Sequence, residues 1–95
     1  MVVGVARVVL LIPENASLKG KRKIVKSVIQ RVRNRFNISI AEIGEQDLWQ
    51  KIELGFSTVG NDSRFVNSCV DKIINHIEEM NVAELVDSEI EVIHV

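Results

Sequence analysis

Hydrophobic residues recur along this chain with two alternating periods, one typical of strands and one typical of helices. A β-branched apolar run at residues 2–12 predicts a central strand, which Pro13 ends because proline offers no N–H to a sheet. From residue 17 to residue 36 the apolar positions follow helical spacing, and Ser17 is a suitable N-cap. The buried face predicted for this first helix is Leu18, Val25, Val28, Ile29, Val32 and Phe36.

The second half of the chain repeats the change of period. Residues 37–44 and 50–60 alternate like paired strands and predict a hairpin. Three candidate caps for a second helix follow it: Asn61, Asp62 and Ser63. The stripe predicted to be buried on that helix is Val66, Cys69, Val70, Ile73, Ile77 and Met80. Residues 83–95 alternate again and predict a last strand.

The order of these elements predicts an α+β fold of the ferredoxin-like βαββαβ type. Right-handed crossovers then give a four-stranded antiparallel sheet with both helices on one face, in a single domain over residues 1–95. The open face is expected to carry Arg7, Glu53, Glu89 and Glu91 among Val3, Val5 and Val9. It has no aromatic ladder, which argues against base stacking on the sheet, but a half-apolar face suits a homodimer or another docked protein.

Charge changes the picture because the net value of −1 hides a sharp division along the chain. Residues 15–41 carry +8 and residues 42–95 carry −9. The first helix contains no carboxylate, and its positive N-terminus is an unfavourable place for cations. Its eight cations are therefore predicted to face an anion: Lys19, Lys21, Arg22, Lys23, Lys26, Arg31, Arg33 and Arg35.

Four of these cations form a stripe beside the apolar face of the helix. Lys19, Arg22, Lys26 and Arg33 step by 3, 4 and 7 residues, with Gln30 in the gap, whereas Arg31 and Arg35 lie on the opposite flank. Three interpretations stay open. The cations are simply solvated or pair with the acidic second helix or another chain, they bind a polyanion, or they meet an anionic membrane or a small anion. Membrane insertion is disfavoured because the core needs the apolar face.

Candidate catalytic chemistry is sparse. Cys69 and His76 lie seven residues apart on one helix, too far along it for a thiolate and its base. The single cysteine and the lack of a zinc-like Cys/His pattern favour a reducing cytoplasm, with no metal and no cofactor. The apolar N-terminus is too short for a membrane span and, lacking a basic leader and a cleavage site, is unlike a signal peptide.

Four motifs give the chain a family resemblance. They are Val3-Gly4-Val5, Ser17-Leu18-Lys19-x-Lys21-Arg22, Arg31-x-Arg33-x-Arg35-Phe36-Asn37 and Ala41-Glu42-x-Gly44-x-Gln46-Asp47-Leu48-Trp49-Gln50. With these motifs the chain resembles the YlxP-like family, a bacterial domain of unknown function with a ferredoxin-like fold. Because its genes often lie among those for translation initiation and ribosome maturation, the resemblance implies a ribosome-linked RNA-binding role. Gly20 departs from the acidic residue expected there, which would complete a capping box.

The fourth motif contains a candidate selectivity turn. Gln46 and Asp47 have the chemistry of base-edge contacts, although a turn needs such residues for its own backbone. Trp49 could stack on a base, but a single tryptophan more often closes a small core. Glu42 is in register with the apolar positions of its strand, and a structural ion pair with an arginine of the first helix is expected.

The leading hypothesis is a non-catalytic cytoplasmic protein that binds RNA or a ribosomal particle through its first helix. Phosphate contacts along the helix would supply affinity, and the turn at Gln46, Asp47 and Trp49 would supply any selectivity. The alternatives are a protein-interaction module that dimerises through the open sheet face, and a small-ligand sensor.

Overall fold

The computed structural model describes residues 1–14, 16–44 and 48–95. Its elements are β1 (Val2–Leu11), α1 (Leu18–Arg35), β2 (Ser39–Gly44), β3 (Lys51–Gly60), α2 (Ser63–Glu79) and β4 (Glu84–His94). The order and type of all six agree with the sequence prediction. The strands are one or two residues shorter at some ends than predicted: β1 ends at Leu11 and β2 begins at Ser39.

The four strands form one antiparallel sheet in the order β2-β3-β1-β4. Both helices pack on one face, which gives the predicted ferredoxin-like arrangement. Even-numbered residues of β1 point towards the helices, so Ala6, Val8 and Leu10 are buried in the core. The odd-numbered residues of β1 lie on the open face.

The helices cover the sheet because their apolar stripes match it. From α1 the core receives Val25, Val28 and Val32, and from α2 it receives Val66, Val70, Ile73, Ile74 and Ile77. Ile74 is buried although it was not in the predicted stripe, and Cys69 and Met80, which were in it, are only half-buried. A side chain at Gly4 would lie 2.7 Å from Val66 Cγ1, so the missing Cβ lets α2 approach β1 closely.

Candidate functional site

The first helix begins where its cap predicts. Ser17 is in an extended conformation, and its Oγ accepts a hydrogen bond from the backbone N–H of Gly20 at 3.0 Å. No acidic residue lies in the first turn, so the positive end of the helix dipole is not offset there by a carboxylate of the helix itself. The cap thus satisfies one backbone donor and leaves the electrostatic preference for an anion.

Seven of the eight cations predicted to bind nucleic acid are exposed. They are Lys19, Arg22, Lys23, Lys26, Arg31, Arg33 and Arg35. Lys21 is the exception, because only 1% of its surface is accessible. Its place in the predicted contact set is therefore wrong, since a buried ammonium cannot reach a phosphate outside the protein.

Lys21 instead forms the ion pair that Glu42 was expected to make with an arginine. Its Nζ lies 3.2 Å from Glu42 Oε2, and the two side chains are 2% and 21% exposed. Glu42 Oε2 is buried and has no directed hydrogen bond among the described residues, so the contact is mainly electrostatic. The pair ties α1 to β2. A signal was available, because Lys21 is in phase with the buried Val25, Val28 and Val32.

Three of the exposed cations line a groove between α1 and β2. Arg22, Lys26 and Arg33 lie along its helical side together with Gln30, and the groove has a volume of about 440 Å³. The stripe predicted from their spacing is confirmed for these three cations. Arg33 also donates a hydrogen bond from Nη2 to the backbone carbonyl of Ile40 at 3.2 Å, so its guanidinium is held at the strand.

The opposite flank of α1 faces α2. Arg35 Nη1 lies 3.0 Å from His76 Nδ1, and its guanidinium lies over the ring of Phe36 at 5.6 Å from the centroid. The Arg35 contact requires that Nδ1 accept, which places the imidazole proton on Nε2. This contact supports helix packing, and it gives His76 a structural role.

The remaining exposed cations of α1 have no carboxylate partner in residues 1–14, 16–44 and 48–95. They are Lys19, Arg22, Lys23, Lys26 and Arg31. Pairing between α1 and the carboxylates of the second helix, one form of the solvated-surface alternative, is not found in the described part of the chain. These five side chains are therefore available to a partner.

The predicted selectivity turn is described only in part. Gln46 and Asp47 lie outside the described residues. Trp49 is 52% exposed, so the expectation that it closes the core is wrong. It lines a shallow depression with Leu11 and Leu48 at the end of the hairpin. The core is already filled at this end by Ile52 and Leu54, which are fully buried.

The open sheet face has the composition predicted for it but a more polar centre. Arg7 Nη2 lies 2.7 Å from Glu89 and 3.4 Å from Asp87, and its Nη1 lies 3.1 Å from Glu53. Its hydrogen bond with Arg7 lowers the pKa of Glu89 below the usual glutamate value. The hydrogen bonds with Glu89 and Glu53 in turn raise the pKa of Arg7. This cluster ties β3, β1 and β4 together, and homodimerisation through the face stays a prediction.

The described residues offer neither a metal site nor a membrane-spanning helix. They contain no cluster of three or more histidine, cysteine or carboxylate side chains arranged to hold a metal ion. Neither described helix combines the length and apolar character needed to cross a membrane. Cys69 is half-buried on α2 and is a free thiol.

Two sequence comparisons agree on the relatives of this chain. Residues 3–90 match the family model DUF503, described as a protein of unknown function. The uncharacterized protein YlxP of Bacillus subtilis (strain 168) is 42% identical over 59 residues, which cover 62% of this chain and 64% of that protein. The alignment therefore spans slightly under two thirds of the relative, and both findings agree with the resemblance seen in the motifs.

A solved structure of a protein named as a chlorite dismutase is similar in fold. The superposition has a TM-score of 0.53 and covers 97% of this chain but 44% of that chain, at 9% sequence identity. At such low identity the similarity concerns the fold alone and establishes no enzyme activity.

Proposed function

The chain belongs to the DUF503 family, whose function is unknown, and from this premise we propose that it is a non-catalytic protein that binds RNA through the phosphate backbone along α1. One observation carries the proposal: seven exposed cations share a helix without a carboxylate, and none of the seven has a carboxylate partner among the described residues. Such a surface gains binding free energy by releasing the counterions of a polyanion.

The groove between α1 and β2 defines where the backbone would lie. Arg22, Lys26 and Arg33 face it, and Lys19 continues the same stripe one turn earlier. From Lys19 to Arg33 the helix rises about 21 Å, at roughly 1.5 Å per residue. Cations spread over this distance suit successive phosphates better than one small anion, which would need convergent donors.

The first test compares two double variants that remove the same charge from different helices. Arg22→Ala with Lys26→Ala removes two groove cations, and Arg64→Ala with Lys72→Ala removes two exposed cations of α2. Binding of a fluorescent single-stranded RNA is followed by anisotropy over a series of salt concentrations. The groove variant should bind on the order of tenfold more weakly near 0.1 M salt, with a salt slope reduced by roughly 1.4.

The control variant separates a local surface from net charge. If binding uses α1, the α2 variant keeps nearly the wild-type slope. Equal weakening of both variants would assign the binding to overall charge, and unchanged binding by a folded groove variant would exclude the α1 surface. Circular dichroism of each variant checks that the fold is retained.

Association with a ribosomal particle in the cytoplasm is the finer part of this proposal. Its support is the basic helix together with the implication of the family resemblance. Sedimentation of a cell lysate at low and high salt tests it, because an electrostatic contact gives comigration that high salt removes. Recovery only at the top of a gentle gradient would contradict ribosome association and leave free RNA as the ligand.

A further inference from the structure

Among the described residues, no strand pairs with the outer side of the edge strand β4, so a row of its backbone groups points outwards. Met1 and Val95 exchange two hydrogen bonds, from Val95 N to Met1 O at 2.8 Å and from Met1 N to Val95 O at 3.1 Å. In an antiparallel pair, hydrogen-bonded and non-hydrogen-bonded positions alternate. Given the register of β1 and β4, the backbone N–H and C=O groups that point outwards belong to Ser88, Ile90, Val92 and His94.

The other edge of the sheet is protected in ways that β4 is not. Strand β2 has six residues, and its register shifts between Glu42 and Gly44. Arg33 caps the carbonyl of Ile40 on that strand. Strand β4 has eleven residues and pairs regularly from Asp87 to His94, beyond a single irregularity near its start. A short, bulged and capped edge resists strand addition, whereas a long regular one permits it.

The side chains of β4 define which strand would fit beside it. Asp87, Glu89 and Glu91 project on the open face, and Asp87 and Glu89, together with Glu53, lie within 3.4 Å of Arg7. On the helical face, Ile90 is 42% exposed although it occupies a core-facing register. The edge therefore presents alternating acidic and apolar positions.

A second copy of β4 is a poor occupant of this edge. Antiparallel pairing centred on Glu89 would place Glu89 opposite itself and Asp87 opposite Glu91, and directly opposed like charges destabilise a sheet. The acidic residues would also fall at non-hydrogen-bonded positions, where facing side chains approach most closely. A strand with cations at these positions would form favourable cross-strand charge pairs where a second copy of β4 would place repelling carboxylates.

We infer that β4 is a docking edge for an extended segment of a partner protein in which basic and apolar residues alternate. The segment adds a fifth strand, with its backbone bonded to Ser88, Ile90 and Val92. Its lysine or arginine side chains lie over the acidic row, and its apolar side chains cover Ile90. This surface is separate from the α1 groove, and the inference does not depend on RNA binding there.

Amide hydrogen exchange with a synthetic peptide of alternating lysine and valine tests the inference at the level of single residues. In the free protein the amides of Asp87, Glu89 and Glu91 point to β1 and should exchange slowly, whereas those of Ser88, Ile90 and Val92 point outwards and should exchange fast. At about 90% saturation the second group should slow about tenfold, since exchange then occurs mainly from the free fraction. Absence of binding, or protection without this alternation, overturns the inference.

Two control peptides separate backbone pairing from charge attraction. A peptide of the same composition with its lysines in one block, and an alternating glutamate and valine peptide, should bind at least about tenfold more weakly. Equal binding of either control overturns the proposed occupant.

Two variants keep the inference falsifiable if one of them fails to fold. Ile90→Pro removes an outward N–H without removing a bond to β1 and should lower affinity about tenfold, while Ile90→Val keeps the N–H and should bind normally. Glu91→Lys leaves the contacts of Arg7 in place and should shift preference towards the glutamate and valine peptide. Normal binding by a folded Ile90→Pro variant, or no change of preference in Glu91→Lys, contradicts the inference.

Discussion

At the scale of single residues, the ion pair of Lys21 and Glu42 shows how burial changes the role of a charge. Lys21 belongs to the same basic run as Lys19, Arg22 and Lys23, yet it alone points into the core. Its ammonium is stable there because Glu42 lies 3.2 Å away. Removing one partner of a buried ion pair is destabilising, because the remaining charge loses a favourable interaction while it stays shielded from water.

The two members of this pair should respond differently to substitution. Glu42→Leu removes the carboxylate that lies 3.2 Å from the buried ammonium of Lys21 and should lower the free energy of unfolding by about 3 kcal/mol. Lys21→Met should cost less, because the side chain that keeps its charge is then Glu42, which is 21% exposed, compared with 2% for Lys21. Urea denaturation measures both, and the double variant should recover most of the loss. Equal effects of the two single variants would contradict this account.

At the scale of elements, the start of α1 combines a good cap with a poor helix former. Ser17 accepts from Gly20 N, but glycine in a helix costs about 0.5–1 kcal/mol relative to alanine. No side chain at position 20 can reach back to the cap. The first turn is therefore less stable, and more positive, than a complete capping box would make it.

Gly20→Glu should stabilise the domain and weaken RNA binding together. The new side chain can complete the capping box with Ser17, and its charge interacts favourably with the helix dipole, so stability should rise by about 1 kcal/mol. The same charge opposes phosphate at the start of the basic stripe. Gly20→Ala is the matched control, because it improves helix propensity and should leave the salt dependence of binding unchanged. Thermal unfolding and RNA anisotropy give the two readouts.

At the scale of the whole molecule, charge is divided between the two edges of the sheet. Arg22, Lys26 and Arg33 of α1 lie beside β2, and the acidic row lies on β4 at the far edge of the order β2-β3-β1-β4. Arg7 joins the middle of the sheet to this acidic edge through three carboxylates. The division gives the molecule two electrostatically opposite surfaces despite a net charge of −1.

The Arg7 cluster should make stability depend on acid. The folded state lowers the pKa of Glu89, so the ionised carboxylate stabilises the fold. This stabilisation is fully present above the ordinary glutamate pKa of about 4.3, and it is lost as the pH falls through the lower pKa of Glu89 in the folded state. Arg7→Gln should therefore lose less stability than the wild type between neutral and acidic pH. Urea midpoints measured over this range give the comparison, with Lys72→Gln as a control that keeps the wild-type profile. An identical profile for Arg7→Gln would contradict this role.

The local pattern of residues determined the six elements, their order and the cap at Ser17, and it reduced the cap of α2 to three candidates, of which Asp62 is the one observed. Apolar periodicity and capping depend on neighbours a few residues away, so they can be predicted from the chain alone. The division of charge could also be predicted from the chain alone, and so could the stripe of Arg22, Lys26 and Arg33 beside the apolar face of α1.

Tertiary structure decided which of these residues are accessible. Lys21 is buried because β2 brings Glu42 to it, and Trp49 is exposed because Ile52 and Leu54 already fill the core at that end. The order of the strands leaves β4 at an edge, and only its register with β1 determines which backbone groups point outwards. Each of these outcomes depends on a partner distant in sequence, so burial, pairing and free edges require the folded arrangement.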